Sequence, residues 1–188
     1  MGVDARWGDA GLAGPKQDAV LFLGNLTVGH NVDAVRYLVR SIWPLVRRQL
    51  PSARLHLVGR HGTKVARLGR EPGVRLEGFV ADLRPLLTSC RLSVAPLRYG
   101  AGVQTKVIET MAAGLPAVVT PLVAEPVGAE PDREILVASS AEGIAAGIIR
   151  LLKSPEEAQR IGAAGRAQVR ARFRWERAGE RLAEFLGL

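Results

Sequence analysis

The chain has 188 residues, of which 47% are hydrophobic and 23% charged, enough for one complete apolar core. Its single cysteine excludes a disulfide framework and points to a reducing compartment. Its formal net charge of +8 raises nucleic acid, anionic lipid and phosphorylated ligands as partners. No recognised nucleic-acid module or set of interleaved stacking aromatics accompanies that charge, so nucleic acid is not expected.

The opening stretch "MGVDARWGDAGLAGPKQDA" has neither a basic start nor an apolar run, and no later apolar run is long enough to span a bilayer. The expected setting is therefore the cytoplasm. Residues 1–18, rich in Gly, Ala and Asp and without periodicity, read as a linker. Then short apolar runs follow one another: "AVLFLG" (19–24), "RLHLVG" (54–59), "VRLEGF" (74–79), "RLSVAP" (91–96), "PAVVT" (116–120) and "EILVA" (134–138) are strands. Most are too apolar to have a wet face.

Between the strands, apolar residues recur every three or four positions in 31–50, 81–90, 103–114 and 141–154, as amphipathic helices require. Asn31 is expected to cap the first helix, and Pro44 to kink it. Gly114, followed shortly by Pro116, ends the third. Strands alternating with helices require long parallel crossovers. The expected fold is thus α/β, a doubly wound, mostly parallel sheet of Rossmann-like type over residues 19–154.

From Ser154, an N-cap with Pro155 at the first helical position, the pattern is helical only, giving a C-terminal helical tail over 155–188. Residues 150–188 hold nine Lys or Arg against five Glu, half of the chain's net charge. Such a tail reads as a solvated helix face or as a contact for the inner membrane face. Cys90, beside an apolar strand, is expected to be buried.

The candidate site is "PLRYGAGVQTKVIETMAAGLP" (96–116). In an open parallel sheet ligands bind at the carboxyl ends of the strands, and this turn leads from one such end into a helix whose first N–H groups and dipole favour an anion. Gly100 and Gly102 let a ligand approach the backbone. Thr105 adds a hydroxyl, Lys106 a positive charge, and Arg98 a fork suited to phosphate oxygens. Glu109, three residues after Lys106, either accepts ribose hydroxyls or pairs with Lys106 on the surface. Neither the three histidines nor the cysteine has metal-ligand spacing, and no serine–histidine–acid set is present.

This stretch resembles the "LEAMAxGxPVV" signature in the C-terminal, donor-binding lobe of GT-B glycosyltransferases, specifically retaining family 4. "GVD" near the start, "FLGNL…NVDAV", "RLHLVGR", "VRLEGFVADLRPLL" and the closing "ARFRWERAGERL" follow in the family's order, from residue 2 to about residue 185. The resemblance implies a domain that binds a nucleoside-diphosphate sugar as donor substrate, with no other cofactor, in an enzyme whose N-terminal acceptor lobe is missing from this chain. The acceptor is unknown.

By the same resemblance Glu109 holds the ribose, and Gly102, Val103, Gln104 and Thr105 supply the diphosphate-binding backbone. Gly24 and Asn25 line the nucleotide after the first strand, Arg60 lies at the nucleotide edge, and Phe79 lines the base pocket or joins the core. Three usual residues are replaced: a glutamate by Ala101, and an arginine and a lysine by Asn25 and His30. A subset of the family with "PLRxGGGTRLKxLEAMA" and "PNVDA" matches these departures, and there Arg98 and Lys106 become the replacement cations, the expected catalytic pair. A non-catalytic nucleotide-binding module, and one half of a nucleotide-sugar 2-epimerase, are the alternatives from other classes.

Overall fold

The computed structural model describes residues 15–100 and 102–173. Six strands form one parallel sheet in the order β3-β2-β1-β4-β5-β6: β1 (Ala19–Leu23), β2 (Arg54–Val58), β3 (Val74–Gly78), β4 (Leu92–Ala95), β5 (Ala117–Val119) and β6 (Leu136–Val137). Strand alternation divides the core between the two sheet faces. Val20, Phe22, Leu55 and Leu57 enter the larger apolar cluster, while Ala19, Leu21 and Val58 enter a smaller one with Leu87 and Cys90. Burial pushes the Cys90 thiol up to about 11, which keeps it protonated and unreactive at neutral pH.

After β1 come α1 (Gly29–Tyr37), a π-helical turn (Leu38–Ile42) and α2 (Trp43–Gln49). The interruption falls just before Pro44, which lacks the N–H that a continuous helix needs. Trp43 N–H therefore reaches back five residues to the Leu38 carbonyl, and the helix restarts with proline in its first turn. The expected kink at Pro44 takes this form.

Two short helices were not expected from periodicity. α3 (Thr63–Ala66) runs into a 3-10 turn, Arg67–Arg70, and α6 (Pro121–Val127) carries prolines at its first position and inside it. The remaining helices are α4 (Arg84–Ser89), α5 (Thr105–Ala112), α7 (Ala141–Lys153) and α8 (Pro155–Arg172). Ser140 and Ser154 cap α7 and α8 by accepting from the Gly143 and Glu157 N–H groups.

α8 packs back onto the domain. A Cβ on its Gly162 would lie 2.2 Å from the Gly114 carbonyl oxygen, just past the end of α5, and one on Gly165 would lie 2.6 Å from the Glu134 carbonyl oxygen. Only glycine permits so close a backbone approach. The second tail helix expected over 174–188, and residues 1–14 of the expected linker, lie outside the described residues. No helix among the described residues is long and apolar enough to cross a membrane.

Candidate functional site

The sheet reverses its winding between β1 and β4, and the crevice beyond their carboxyl ends is where an open α/β sheet accepts a ligand. One wall is the loop from Gly24 into α1. The other is the turn from Pro96 through Gly102 into α5. They approach closely: a Cβ on Gly29 would sit 3.4 Å from the Tyr99 hydroxyl, and one on Gly100 3.8 Å from the His30 ring. Thr120, buried at the start of α6, fixes the second wall by donating to the Leu97 carbonyl at 2.6 Å. Ser93 and Thr110 tie β4 to α5 by a buried hydroxyl pair at 2.9 Å.

Lys106 lies at the centre. From the first turn of α5 its ammonium donates to Asn31 Oδ1 on α1, and it lies 5.8 Å from the centroid of the Phe22 ring. Asn31 is 5% exposed and spends its amide N–H on the Asn25 carbonyl at 3.0 Å. Lys106, Asn31 and Asn25 thus form one chain across the crevice. Gly24 lies beneath it: a Cβ there would come within 3.3 Å of Asn31 Nδ2 and 3.4 Å of Lys106 Cδ. Burial pulls the Lys106 ammonium down to about 8, because no carboxylate compensates the loss of water around its charge.

Asn31 therefore differs from its expected role. α1 begins two residues earlier, at Gly29, with no side-chain cap, and Asn31 becomes a buried acceptor for a lysine 75 positions away. Asn25 turns its own side-chain oxygen onto Thr27, accepting from that residue's N–H at 3.1 Å and hydroxyl at 2.8 Å. That Asx-type turn shapes the loop. His30 is held below its usual value, first by burial and then by the Lys106 charge, so its ring is neutral at pH 7.

Arg98 and Lys106 do not sit side by side. Arg98 grips Asp33 through Nε at 3.0 Å and a terminal nitrogen at 2.5 Å, with its guanidinium 4.8 Å from the Tyr37 ring centroid. Asn31 and Asp33 are two residues apart on α1 and so face different directions. Arg98 thus clamps the outer side of α1 while Lys106 holds its inner side.

Glu109 and Lys106 do not pair. The Glu109 carboxyl group has no hydrogen-bond or ion-pair partner among the described residues, and burial raises it above the usual range. Gly102, Val103, Gln104 and Thr105 lead into α5, whose N-terminus has no side-chain cap, leaving its first N–H groups open to a ligand. Phe79 is not core. It is 69% exposed just beyond β3, with the Arg60 guanidinium 5.5 Å from its ring centroid. That pair forms a second cluster on the same carboxyl edge, and Arg60 joins it to the first wall by accepting the Leu26 N–H at its own carbonyl. Among the described residues no group of three or more His, Cys, Asp or Glu side chains could hold a metal ion.

The sheet order and the position of this crevice define a doubly wound α/β lobe, and the sequence places it more narrowly. Residues 17–154 match the family model for glycosyl transferases group 1, nearly three-quarters of the chain, and the protein belongs to that family. Its fold is that of a GT-B C-terminal lobe. It is similar to TarM of S. aureus (18% identity, TM-score 0.79, 90% of this chain and 35% of that one) and to sucrose-phosphate synthase from Thermosynechococcus elongatus (20%, 0.77, 99% and 50%). It is also similar to HepE from Anabaena, solved in complex with UDP and glucose (18%, 0.74, 94% and 49%). Among curated protein sequences none matches. The chain spans between a third and a half of the length of these three structures.

Proposed function

We infer that the domain binds the nucleoside-diphosphate sugar of a retaining glycosyltransferase, with the diphosphate over Lys106 and the N-terminus of α5. The observation that carries this reading is a half-buried ammonium at the winding reversal of the sheet whose sole hydrogen-bond partner among the described residues is a neutral amide. Membership of a glycosyltransferase family supports it, as does a similar fold solved with UDP and glucose.

In the reaction, the bond between the sugar's anomeric carbon and the diphosphate oxygen breaks, and its electron pair stays on the departing diphosphate. The acceptor oxygen bonds the same carbon on the same face and passes its proton to the departing diphosphate oxygen. Charge building on the diphosphate is met by the Lys106 ammonium and the free N–H groups of α5, which are in place before the bond breaks. Arg98 becomes a second phosphate cation by giving up Asp33. Arg98 is 53% and Asp33 25% exposed in that pair, so releasing it costs on the order of 1 kcal/mol. Glu109, unpaired among the described residues, takes the ribose hydroxyls.

Calorimetry of the 188-residue chain against a panel of nucleoside diphosphates is expected to show binding, while a sugar-transfer assay on the same chain shows none, because a GT-B site lies between two lobes. Absence of binding to every member of the panel overturns the reading. Transfer by this chain alone overturns the need for a second lobe. Glu109→Ala is expected to weaken all nucleoside diphosphates by about 1.5–3 kcal/mol, the range for a hydrogen bond to a charged group. A lowered melting temperature with unaltered affinity would make Glu109 a structural residue.

A further inference from the structure

We propose that Asn31 is the positioning residue of the site, holding Lys106 across the crevice as a charge left uncompensated for a diphosphate. The inference rests on the functional reading above and adds the residue on which that reading depends.

Two bonds define the role. Asn31 Oδ1 accepts from the Lys106 ammonium, and Asn31 Nδ2 donates to the Asn25 carbonyl. One buried amide therefore fixes both the lysine and the loop that forms the opposite wall. Its neutrality matters as much as its geometry. A carboxylate of the same shape would take the ammonium as an ion pair, whereas an amide orients the ammonium and leaves its full charge and its other two protons for a ligand. Gly24 preserves the space in which this happens, since a side chain there would press on both partners.

The charged and titratable groups around Lys106 do not take over this role. Glu109, three residues on in α5, has no ion pair with it, and Asp33 on α1 is occupied by Arg98. His30, at the start of α1, is depressed by burial and by the lysine's charge, and is neutral where the lysine titrates. The remaining neighbours are apolar or hydroxyl-bearing: Leu21, Leu23, Ser93 and Thr110 line the same small cleft.

The test is Asn31→Asp, which keeps the size of the side chain and reverses the logic of the site. In the 188-residue chain without ligand, NMR titration of the Lys106 side chain is expected to report a value near 8 for the native protein and a clearly higher one for the variant. Calorimetry is expected to show the affinity for a nucleoside diphosphate falling roughly 10- to 100-fold in the variant, the range for loss of a charge-assisted hydrogen bond. The affinity for the matching nucleoside should be unchanged. In the native chain diphosphate affinity should decline as the pH rises through about 8, and in the variant that decline should move upward.

A retained melting temperature for Asn31→Asp separates this role from a folding defect, and Asn31→Gln serves as a second variant that keeps the neutral acceptor with altered reach. Equal diphosphate affinity in the native chain and the Asn31→Asp variant overturns the proposal, as does an unmoved Lys106 titration. If the native chain binds no nucleoside diphosphate while the lysine titration still responds to the substitution, the functional reading fails and the coupling of Asn31 to Lys106 stands as a structural fact only.

Discussion

Lys106→Met is expected to weaken a nucleoside diphosphate by about 3 kcal/mol, the worth of two charge-assisted hydrogen bonds, while leaving the nucleoside nearly untouched. The methionine keeps most of the apolar stem that lies over Phe22, so the loss reads charge rather than packing. Added salt should narrow the difference between native and variant chains, since a partly exposed cation is screened over about 8–10 Å. Equal losses for nucleoside and diphosphate would mean that Lys106 supports the base pocket or the fold. The pH dependence gives a second signature. Burial lowers the folded ammonium from 10.5 to about 8, so between those values the unfolded chain holds a proton that the folded one has released. Stability without ligand therefore rises from about pH 8 to 10.5 on account of this group, while diphosphate affinity falls over the same interval. Denaturation midpoints and binding isotherms measured at about pH 7, 8.5 and 10 would show the two trends diverging, and Lys106→Met should abolish this contribution to both.

The largest loss of stability is expected from Gly59→Ala. Gly59 has a φ of +138°, and a Cβ there would fall 1.8 Å from the Gly24 carbonyl oxygen, an atom of the backbone that cannot swing away. β1 and β2 would have to part at their carboxyl ends, where Gly24 N–H donates to the Val58 carbonyl at 2.9 Å. The cost should be about 4 kcal/mol or more, in the range reserved for severe steric defects. Gly78→Ala is the control. Its φ of +69° is also left-handed, but nothing lies within 4 Å of the added carbon, so only the conformational penalty of about 1–2 kcal/mol applies. Urea denaturation of the two variants measures the gap, and similar midpoints would contradict the close approach at Gly59.

The strands were legible because buried parallel strands are short continuous apolar runs, and all six lie within the expected ranges. Of the two helices that escaped notice, α3 is a single turn too short to show periodicity, and the local chemistry of α6 argues against helix. α6 carries Pro121 and Pro126 within seven residues, and it forms because Pro121 occupies the tolerated first position and Gly128 adopts the left-handed conformation that ends it. The Gly-rich turn and the lysine at its far side were legible from local spacing. Their partners were not. Lys106 with Asn31 and Arg98 with Asp33 join positions 75 and 65 residues apart, and no periodicity encodes such a pairing. Asn31 looked like a cap because asparagine before an apolar helical pattern commonly is one. The helix instead starts at Gly29, and Asn31 lies inside it as the acceptor for a half-buried ammonium.

The glycine contacts of α8 bear on where this domain ends. The family match stops at residue 154, yet Gly162 rests on the carbonyl of Gly114, the residue that terminates the helix carrying Lys106 and Glu109. Met111, in that same helix, also meets α8 at Gly165. The region matched by the family and the packed domain therefore finish at different residues. α8 works as a buttress behind α5, so the packing of residues beyond 154 helps to set where Lys106 and Glu109 stand.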